Sequence, residues 1–246
     1  MTCPPTASDH DLARKAFAEL LGSTLLAATV VGSGIAAQRL SPDDPGLELL
    51  ESALVTGAVL VALILALGPV SAAFNPVVTL AERALGVIST RTTAVLIASQ
   101  VLGSCLGAIL ANLMFGLAAV NVSHHRRTTG ALRLGEVVAT FGLLIVVLGV
   151  VRAGRASHIA YAVGGYITAA YWFTSSTSFA NPAISVGRTL SDTFAGIAPS
   201  SVPMFVLMQV LGGALAVGAV MVLYPEANRA TGELAHLEGT ELELIR

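Results

Sequence analysis

Six long apolar runs alternate with short polar breaks along this chain of 246 residues. A helix rises 1.5 Å per residue, so about 20 apolar residues cross the ~30 Å hydrocarbon core of a bilayer. Two shorter apolar stretches reach only about halfway across. The runs predict spanning helices at about 16–38, 49–68, 92–117, 132–151, 157–174 and 203–224, and half-length helices at 76–85 and 182–190. The pattern therefore predicts an all-α membrane protein with six transmembrane helices and two half-membrane helices.

The two halves of the chain repeat the same order of elements. Glu19 lies four residues before Ser23 in the first span, and Glu136 lies four residues before Thr140 in the fourth. Three spans per half predict an inverted 3+3 repeat, whose functional site lies near the midplane where broken helices meet. We expect an N-terminal segment at 1–15, a transmembrane domain at 16–224 with repeats at 16–117 and 132–224, and an acidic C-terminal tail at 225–246.

Each half also contains an Asn-Pro turn that opens a half-length helix. Asn is a favoured N-cap and Pro a favoured first helical residue, so two ordinary helix starts would also explain the turns. Their matching places in the repeat favour a pore instead, because irregular backbone at membrane depth survives only where it is buried or lines a wet cavity. The turns read Asn75-Pro76-Val77 and Asn181-Pro182-Ala183.

The chemistry of these turns predicts a neutral-solute site. Each Asn oxygen can accept from a backbone N–H of its own helix, which leaves the amide NH₂ free to donate into the lumen. Both helix N-termini carry partial positive charge, so the site repels cations and suits small, neutral, polar solutes.

Composition and charge narrow the class further. The chain is 54% apolar and 11% charged, against about 25% charged in soluble proteins. With a net charge of -2 and no basic block, binding to nucleic acid is not expected. No metal-ligand spacing occurs, so we expect no metal or cofactor. With the N-terminus inside, eight Lys and Arg residues lie on the cytoplasmic side and five outside. This favours a cell-membrane protein with both termini cytoplasmic, although Arg126-Arg127 argues the other way.

At these residues the sequence resembles the aquaporin, or major intrinsic protein, family. The resemblance covers about 14–224 and includes both Asn-Pro turns, Glu19, Glu136 and the six spans. It implies a channel rather than an enzyme, and a homotetramer with one pore per subunit. The two glutamates could carry protons or could bond the backbone of the broken loops, and the resemblance favours the second role. We expect Gln100 and Gln209 to support packing or loops in the same way.

Family members that pass water or glycerol usually carry an arginine directly after the second Asn-Pro-Ala, where this chain has Ile184. The resemblance places the other filter positions at Thr56, at Ser178 and at one fifth-helix residue. For the latter the candidates are Tyr171 and Trp172, or Ala169 and Ala170 if the chain has no gap there. Val77 also departs from the family's alanine and adds two methyl carbons near the point where the half-helices meet.

The stretch from Tyr171 to Ala183, followed by Arg188 to Ile197, resembles a bacterial aquaglyceroporin-like subgroup associated with arsenic resistance. In that subgroup the filter arginine is also replaced by an aliphatic residue. The resemblance implies a passive channel for arsenous acid (arsenite) and glycerol-like polyols, with water as a further solute. A water-selective aquaporin and an ion-coupled secondary transporter stay open as alternatives, and gradient dependence would separate the last.

Overall fold

The structure, a computed structural model, describes residues 9–225. Within these residues it has eight α-helices and no strand, which confirms the all-α prediction. The expected segment 1–15 is described only from Asp9, and of the expected acidic tail at 225–246 only Pro225 lies within the described residues. The helices are α1 (Asp9–Leu40), α2 (Pro45–Leu67), α3 (Pro76–Ala84), α4 (Thr90–Met114), α5 (Gly130–Arg152), α6 (Ile159–Phe173), α7 (Pro182–Gly187) and α8 (Val202–Leu223).

The helix starts follow side-chain caps that hydropathy alone does not show. Asp44 accepts from the backbone N–H of Leu47 at 3.0 Å and Pro45 takes the first helical position, so α2 begins four residues before the apolar run at 49. α1 begins at Asp9 rather than 16, and Asp11 pairs with Lys15 at 2.8 Å along its first turns. Residues 9–15 of the expected N-terminal segment are therefore helical.

Five helical segments within residues 9–225 are long and apolar enough to cross a membrane. α6 is shorter: its 15 residues rise ~22 Å. A 3₁₀ turn, Ala156–His158, precedes it and lengthens the helical stretch. The five segments are Asp9–Leu40, Pro45–Leu67, Thr90–Met114, Gly130–Arg152 and Pro199–Leu223.

The distribution of polar and apolar side chains is the reverse of that in a soluble protein. Large apolar side chains such as Leu54 and Leu134 are more than half exposed on the helix exteriors. Glu19 and Glu136, in contrast, are 0% exposed in the interior. An apolar exterior of this extent fits lipid, because no aqueous surface would leave so much apolar area uncovered.

Close helix packing depends on glycine. α1 packs mainly on α4 and α2, α5 packs mainly on α8 and α6, and α2 also contacts α6. A Cβ added at Gly107 of α4 would lie 2.2 Å from the carbonyl oxygen of Thr24 in α1. A Cβ at Gly212 of α8 would lie 2.4 Å from the carbonyl oxygen of Val137 in α5. These small residues therefore let the helix backbones approach, as membrane helix packing requires.

Candidate functional site

A cavity of about 900 Å³ runs between the helices and passes both Asn-Pro turns. Lys15, at the start of α1, and Arg152, at the end of α5, line one end of it. Ile184 and Arg188 line the other end, which we call the Arg188 end. Most of the wall between them is aliphatic, with Leu26, Val30, Leu60, Ile64, Leu96, Leu143, Val147, Val163 and Ile167 among its residues.

Both asparagines cap their helices as the sequence predicts. The Asn75 side-chain oxygen accepts from the backbone N–H of Val77 at 3.0 Å. The Asn181 oxygen accepts from the N–H groups of Ala183 at 3.0 Å and Ile184 at 3.2 Å. The extended backbone of each asparagine lies just before a proline at the first helical position, so local chemistry alone explains where α3 and α7 begin.

The asparagine amides are not wholly free, contrary to expectation. Asn75 Nδ2 donates to the carbonyl oxygen of Ala180 at 2.8 Å, and Asn181 Nδ2 donates to the carbonyl oxygen of Phe74 at 2.7 Å. Each turn therefore uses one amide N–H to hold the other turn. Because an amide has two such donors, one remains on each asparagine, and both asparagines line the cavity.

The backbone before each asparagine is strained. Phe74 has φ 48° and Ala180 has φ 47°, in the left-handed region that non-glycine residues rarely adopt. Such residues cost about 1–3 kcal/mol each and persist where the surroundings over-determine them. Here the strain coincides with the crossed hydrogen bonds, since these two residues supply the carbonyl oxygens that the asparagines hold.

Glu19 supports the first turn from α1. Its two carboxylate oxygens accept from the backbone N–H groups of Ala73 at 2.9 Å and Phe74 at 2.7 Å. Gln100 Nε2 of α4 donates to the same carboxylate at 2.8 Å and to the Thr79 hydroxyl at 2.9 Å. The glutamine therefore ties α1, α3 and α4 together behind the turn.

Glu136 repeats this arrangement for the second turn. Its carboxylate accepts from the backbone N–H groups of Phe179 at 3.0 Å and Ala180 at 2.9 Å. Gln209 Nε2 of α8 donates to it at 2.6 Å and to the Ser185 hydroxyl at 3.0 Å. Each glutamine thus bonds a half-length helix and the glutamate that holds the loop before that helix.

The four expected filter residues lie together at the Arg188 end of the cavity. The hydroxyl oxygens of Thr56 and Tyr171 are 3.2 Å apart, and both side chains are buried in the wall. The Ser178 hydroxyl has no hydrogen-bond partner among residues 9–225. Ile184 is 4% exposed and lines the same end. The group combines three hydroxyls with one aliphatic side chain.

Among the four candidates for the fifth-helix position, one lines the cavity within the described residues. Tyr171 lines the cavity, whereas Trp172, the next residue, is 51% exposed on the outside of α6. Ala169 and Ala170 are not among the residues that line the cavity within the described chain. Of the four candidates, Tyr171 is therefore the one in position to contact a solute in the cavity.

Arg188 is a cavity residue that the sequence analysis missed. In the charge count it is only one of the five Lys and Arg residues outside, but it is 4% exposed and lines the cavity beside Ile184. The signal was present in the spacing, because residues four apart lie on one helical face.

Comparison with known proteins decides the family. The model of the major intrinsic protein family matches residues 6–162. The aquaglyceroporin AqpS of Rhizobium meliloti (strain 1021) is 44% identical over 221 residues, which are 89% of this chain and 94% of that protein. This chain belongs to the major intrinsic protein family. It is a multi-pass membrane channel of the aquaglyceroporin type for small solutes, and not an enzyme.

One further relative and one solved structure extend the comparison. Aquaporin NIP1-2 of Arabidopsis thaliana is 33% identical over 154 residues, which are 58% of this chain and 51% of that protein. The solved structure of the aquaglyceroporin from Plasmodium falciparum superposes with a TM-score of 0.68 at 18% identity. It covers 88% of this chain and 99% of that one, so the two share a fold.

The unusual valine of this major intrinsic protein lies behind the cavity wall. Val77 is 3% exposed and is not among the residues that line the cavity. Pro76, Pro182 and Ala183 are also buried and do not line the cavity. Of the six residues expected at the pore midplane, only the two asparagines reach the cavity. The extra methyl groups of Val77 face Gly213 of α8, where an added Cβ would lie 2.3 Å from Val77 Cγ1. Because Gly213 has no side chain, α8 leaves space for Val77.

Two other glycines differ in how closely they are packed. Gly103 lies against α1, where an added Cβ would meet the carbonyl oxygen of Leu20 at 2.4 Å. A Cβ at Gly218 of α8 would meet nothing within 4 Å, so this glycine makes no close helix contact within the described residues.

Proposed function

We propose that this channel passes small neutral hydroxylated solutes, with arsenous acid and glycerol-like polyols foremost, and that water also permeates. The observation that carries this is Ile184, an uncharged aliphatic side chain at the cavity end that also holds three hydroxyls. An uncharged trihydroxy molecule can exchange hydrogen bonds with hydroxyls while its remaining surface contacts aliphatic carbon. The name of the relative AqpS, an aquaglyceroporin, supports the same solute class.

The architecture that we propose places the two Asn-Pro turns at mid-membrane. α6, extended by the turn before it, forms the fifth of six spans, and α3 and α7 are half-membrane helices of an inverted 3+3 repeat. The matching contacts of Glu19 and Glu136 support the repeat. The channel domain covers 16–224, with repeats at 16–117 and 132–224. We place the protein in the cell membrane as a homotetramer, with cytoplasmic termini.

The two asparagines would act at the pore midplane. The amide N–H that each keeps can donate to a passing oxygen, and the positive N-terminal ends of α3 and α7 point to the same place. A water that accepts from both amides must donate away from them, which interrupts a chain of proton transfers. Glu19 and Glu136 hold the strained loops in the geometry that this requires, and they carry no proton across.

Flux measurements on proteoliposomes test this function. Stopped-flow light scattering should show glycerol entry faster than in empty vesicles, and arsenite uptake should rise in parallel. If no neutral solute moves faster than through empty vesicles, the proposal fails. Water flux without glycerol or arsenite flux would indicate a water-selective channel, and dependence on a proton or sodium gradient would indicate coupled transport.

The Ile184→Arg variant tests the residue on which the proposal depends. The longer, charged side chain narrows the Arg188 end, so glycerol and arsenite fluxes should fall by roughly tenfold or more, equivalent to about 1.4 kcal/mol in the barrier. Water flux should fall less, because water is smaller. Ile184→Val is the matched control and should keep all fluxes near wild type. Unchanged glycerol and arsenite fluxes in Ile184→Arg would contradict a filter role for this position.

A further inference from the structure

Arg188 brings a positive charge to the cavity end where position 184 has none. It opens the 3₁₀ turn Arg188–Leu190, which follows α7 directly. It lies four residues after Ile184, so the two side chains share a face one turn apart. Both line the cavity.

The guanidinium of Arg188 is held in place by the protein. Its Nε donates to the carbonyl oxygen of Ala195. Its carbon atom lies 3.5 Å from the centroid of the Phe179 ring, within the range of a cation–π contact. The guanidinium of Arg127 lies over the same ring at 4.9 Å, and its Nε donates to the carbonyl oxygen of Gly196 at 3.2 Å. The aromatic ring therefore gathers two positive charges at this end of the molecule.

Neither arginine forms a salt bridge with an Asp or Glu among residues 9–225. The buried carboxylate of Glu136 attracts both guanidinium groups, but only from beyond salt-bridge distance. Nε makes the only hydrogen bond from Arg188 to the described residues, which leaves four N–H groups on its terminal nitrogens without a protein acceptor there. A partly desolvated charge of this kind acts over a longer range than one in bulk water.

We propose that Arg188 is a specificity-determining residue that keeps monovalent cations out of the Arg188 end of the pore. The inference rests on the proposed function, and it separates two properties of the filter. Ile184 sets the width of this end, and Arg188, one turn further on, sets its charge. A neutral hydroxylated solute meets no net repulsion and can accept hydrogen bonds from the terminal N–H groups, whereas a cation meets a positive charge that no salt bridge holds.

Charge removal at position 188 tests this in proteoliposomes of the full-length protein. Rubidium uptake reports cation leak, and stopped-flow light scattering reports glycerol flux in the same preparations. Arg188→Gln removes the charge and keeps polarity. Arg188→Met removes it and keeps an unbranched side chain on the Phe179 ring, so it serves if the first variant does not fold. Arg188→Lys keeps the charge. Arg126→Gln removes an exposed arginine from the neighbouring loop and is the matched control.

We expect rubidium uptake to rise roughly tenfold or more above wild type in Arg188→Gln and Arg188→Met, with glycerol flux changed less than about twofold. Arg188→Lys and the control should take up rubidium as slowly as the wild type. Two results would overturn the inference alone. In the first, Arg188→Gln and Arg188→Met take up rubidium no faster than the wild type. In the second, Arg188→Lys takes up rubidium as fast as the two neutral variants, which would indicate that Arg188 acts through packing. Wild-type protein that passes no glycerol would overturn the proposed function, and this inference with it.

Discussion

The contact between Val77 and Gly213 predicts a pair of substitutions that compensate each other. A Cβ placed on Gly213 lies 2.3 Å from Val77 Cγ1 and 3.8 Å from Val77 Cβ. The first distance is about 1.2 Å shorter than the ~3.5 Å at which two carbon atoms normally meet. Gly213→Ala must therefore push α8 away from α3 or force the valine out of its rotamer.

The size of the effect follows from packing. Overfilling a well-packed core costs about 1–3 kcal/mol. For a protein of this length each kcal/mol corresponds to roughly 2–4 °C in melting temperature, so Gly213→Ala should melt several degrees below wild type. Val77→Ala alone removes two methyl groups and leaves a void, which costs about 1–2 kcal/mol. In the double variant the new methyl fills that void, so most of both losses should be recovered.

The assay is thermal unfolding of the purified variants in detergent, followed by glycerol flux for those that fold. Gly218→Ala is the matched control on the same helix, because its added Cβ meets nothing within 4 Å. It should be as stable as wild type or more so, since alanine favours helix over glycine. The reasoning is refuted if Gly213→Ala melts with wild type, or if adding Val77→Ala to it recovers no stability.

Three further predictions concern single groups. Glu136→Gln keeps one acceptor oxygen but turns an NH₂ toward a backbone donor, so it should cost about 1.5–3 kcal/mol in thermal unfolding and reduce glycerol flux; wild-type behaviour would count against a loop-holding carboxylate. Tyr171→Phe leaves the Thr56 hydroxyl without its 3.2 Å partner, so glycerol flux should change more than water flux in stopped-flow assays, and equal changes would speak against solute contact. The backbone N–H of His124 lowers the pKa of Asp192, so the stability this carboxylate adds is present above its unfolded pKa of about 3.9 and disappears as the pH falls through the lower folded value. The melting difference between wild type and Asp192→Asn should therefore vanish in acid, and a pH-independent difference would contradict the assignment.

The spanning helices could be predicted because each one is encoded by a continuous run of apolar residues. Each apolar run in the sequence corresponds to a helix of the structure, and the ends differ where caps such as Asp44 extend a helix beyond its apolar part. The Asn-Pro turns were equally readable, since capping chemistry lies within three or four residues of sequence. Features of this kind depend on residues that are close in sequence, so they do not require knowledge of how the helices pack.

The contacts that cross between the two halves could not be predicted. The sequence shows that Asn75 can cap its helix, but not that its amide reaches the carbonyl oxygen of Ala180. It shows that Val77 is larger than alanine, but not that Gly213 faces it. Both are pairings of residues more than 100 positions apart, which depend on how the helices pack. Arg188 is different, because its spacing from Ile184 is visible in the sequence, where it counts only as one of the five outside charges.

Solute flux through the wild-type protein tests the central claim most directly. Purified channel in proteoliposomes should be measured for glycerol entry by stopped-flow light scattering and for arsenite uptake, with empty vesicles as the reference and no ion gradient imposed. We predict that both solutes enter clearly faster than in empty vesicles and that adding a proton or sodium gradient changes neither rate. Rates equal to those of empty vesicles, or entry only when a gradient is present, would contradict a passive channel for neutral hydroxylated solutes.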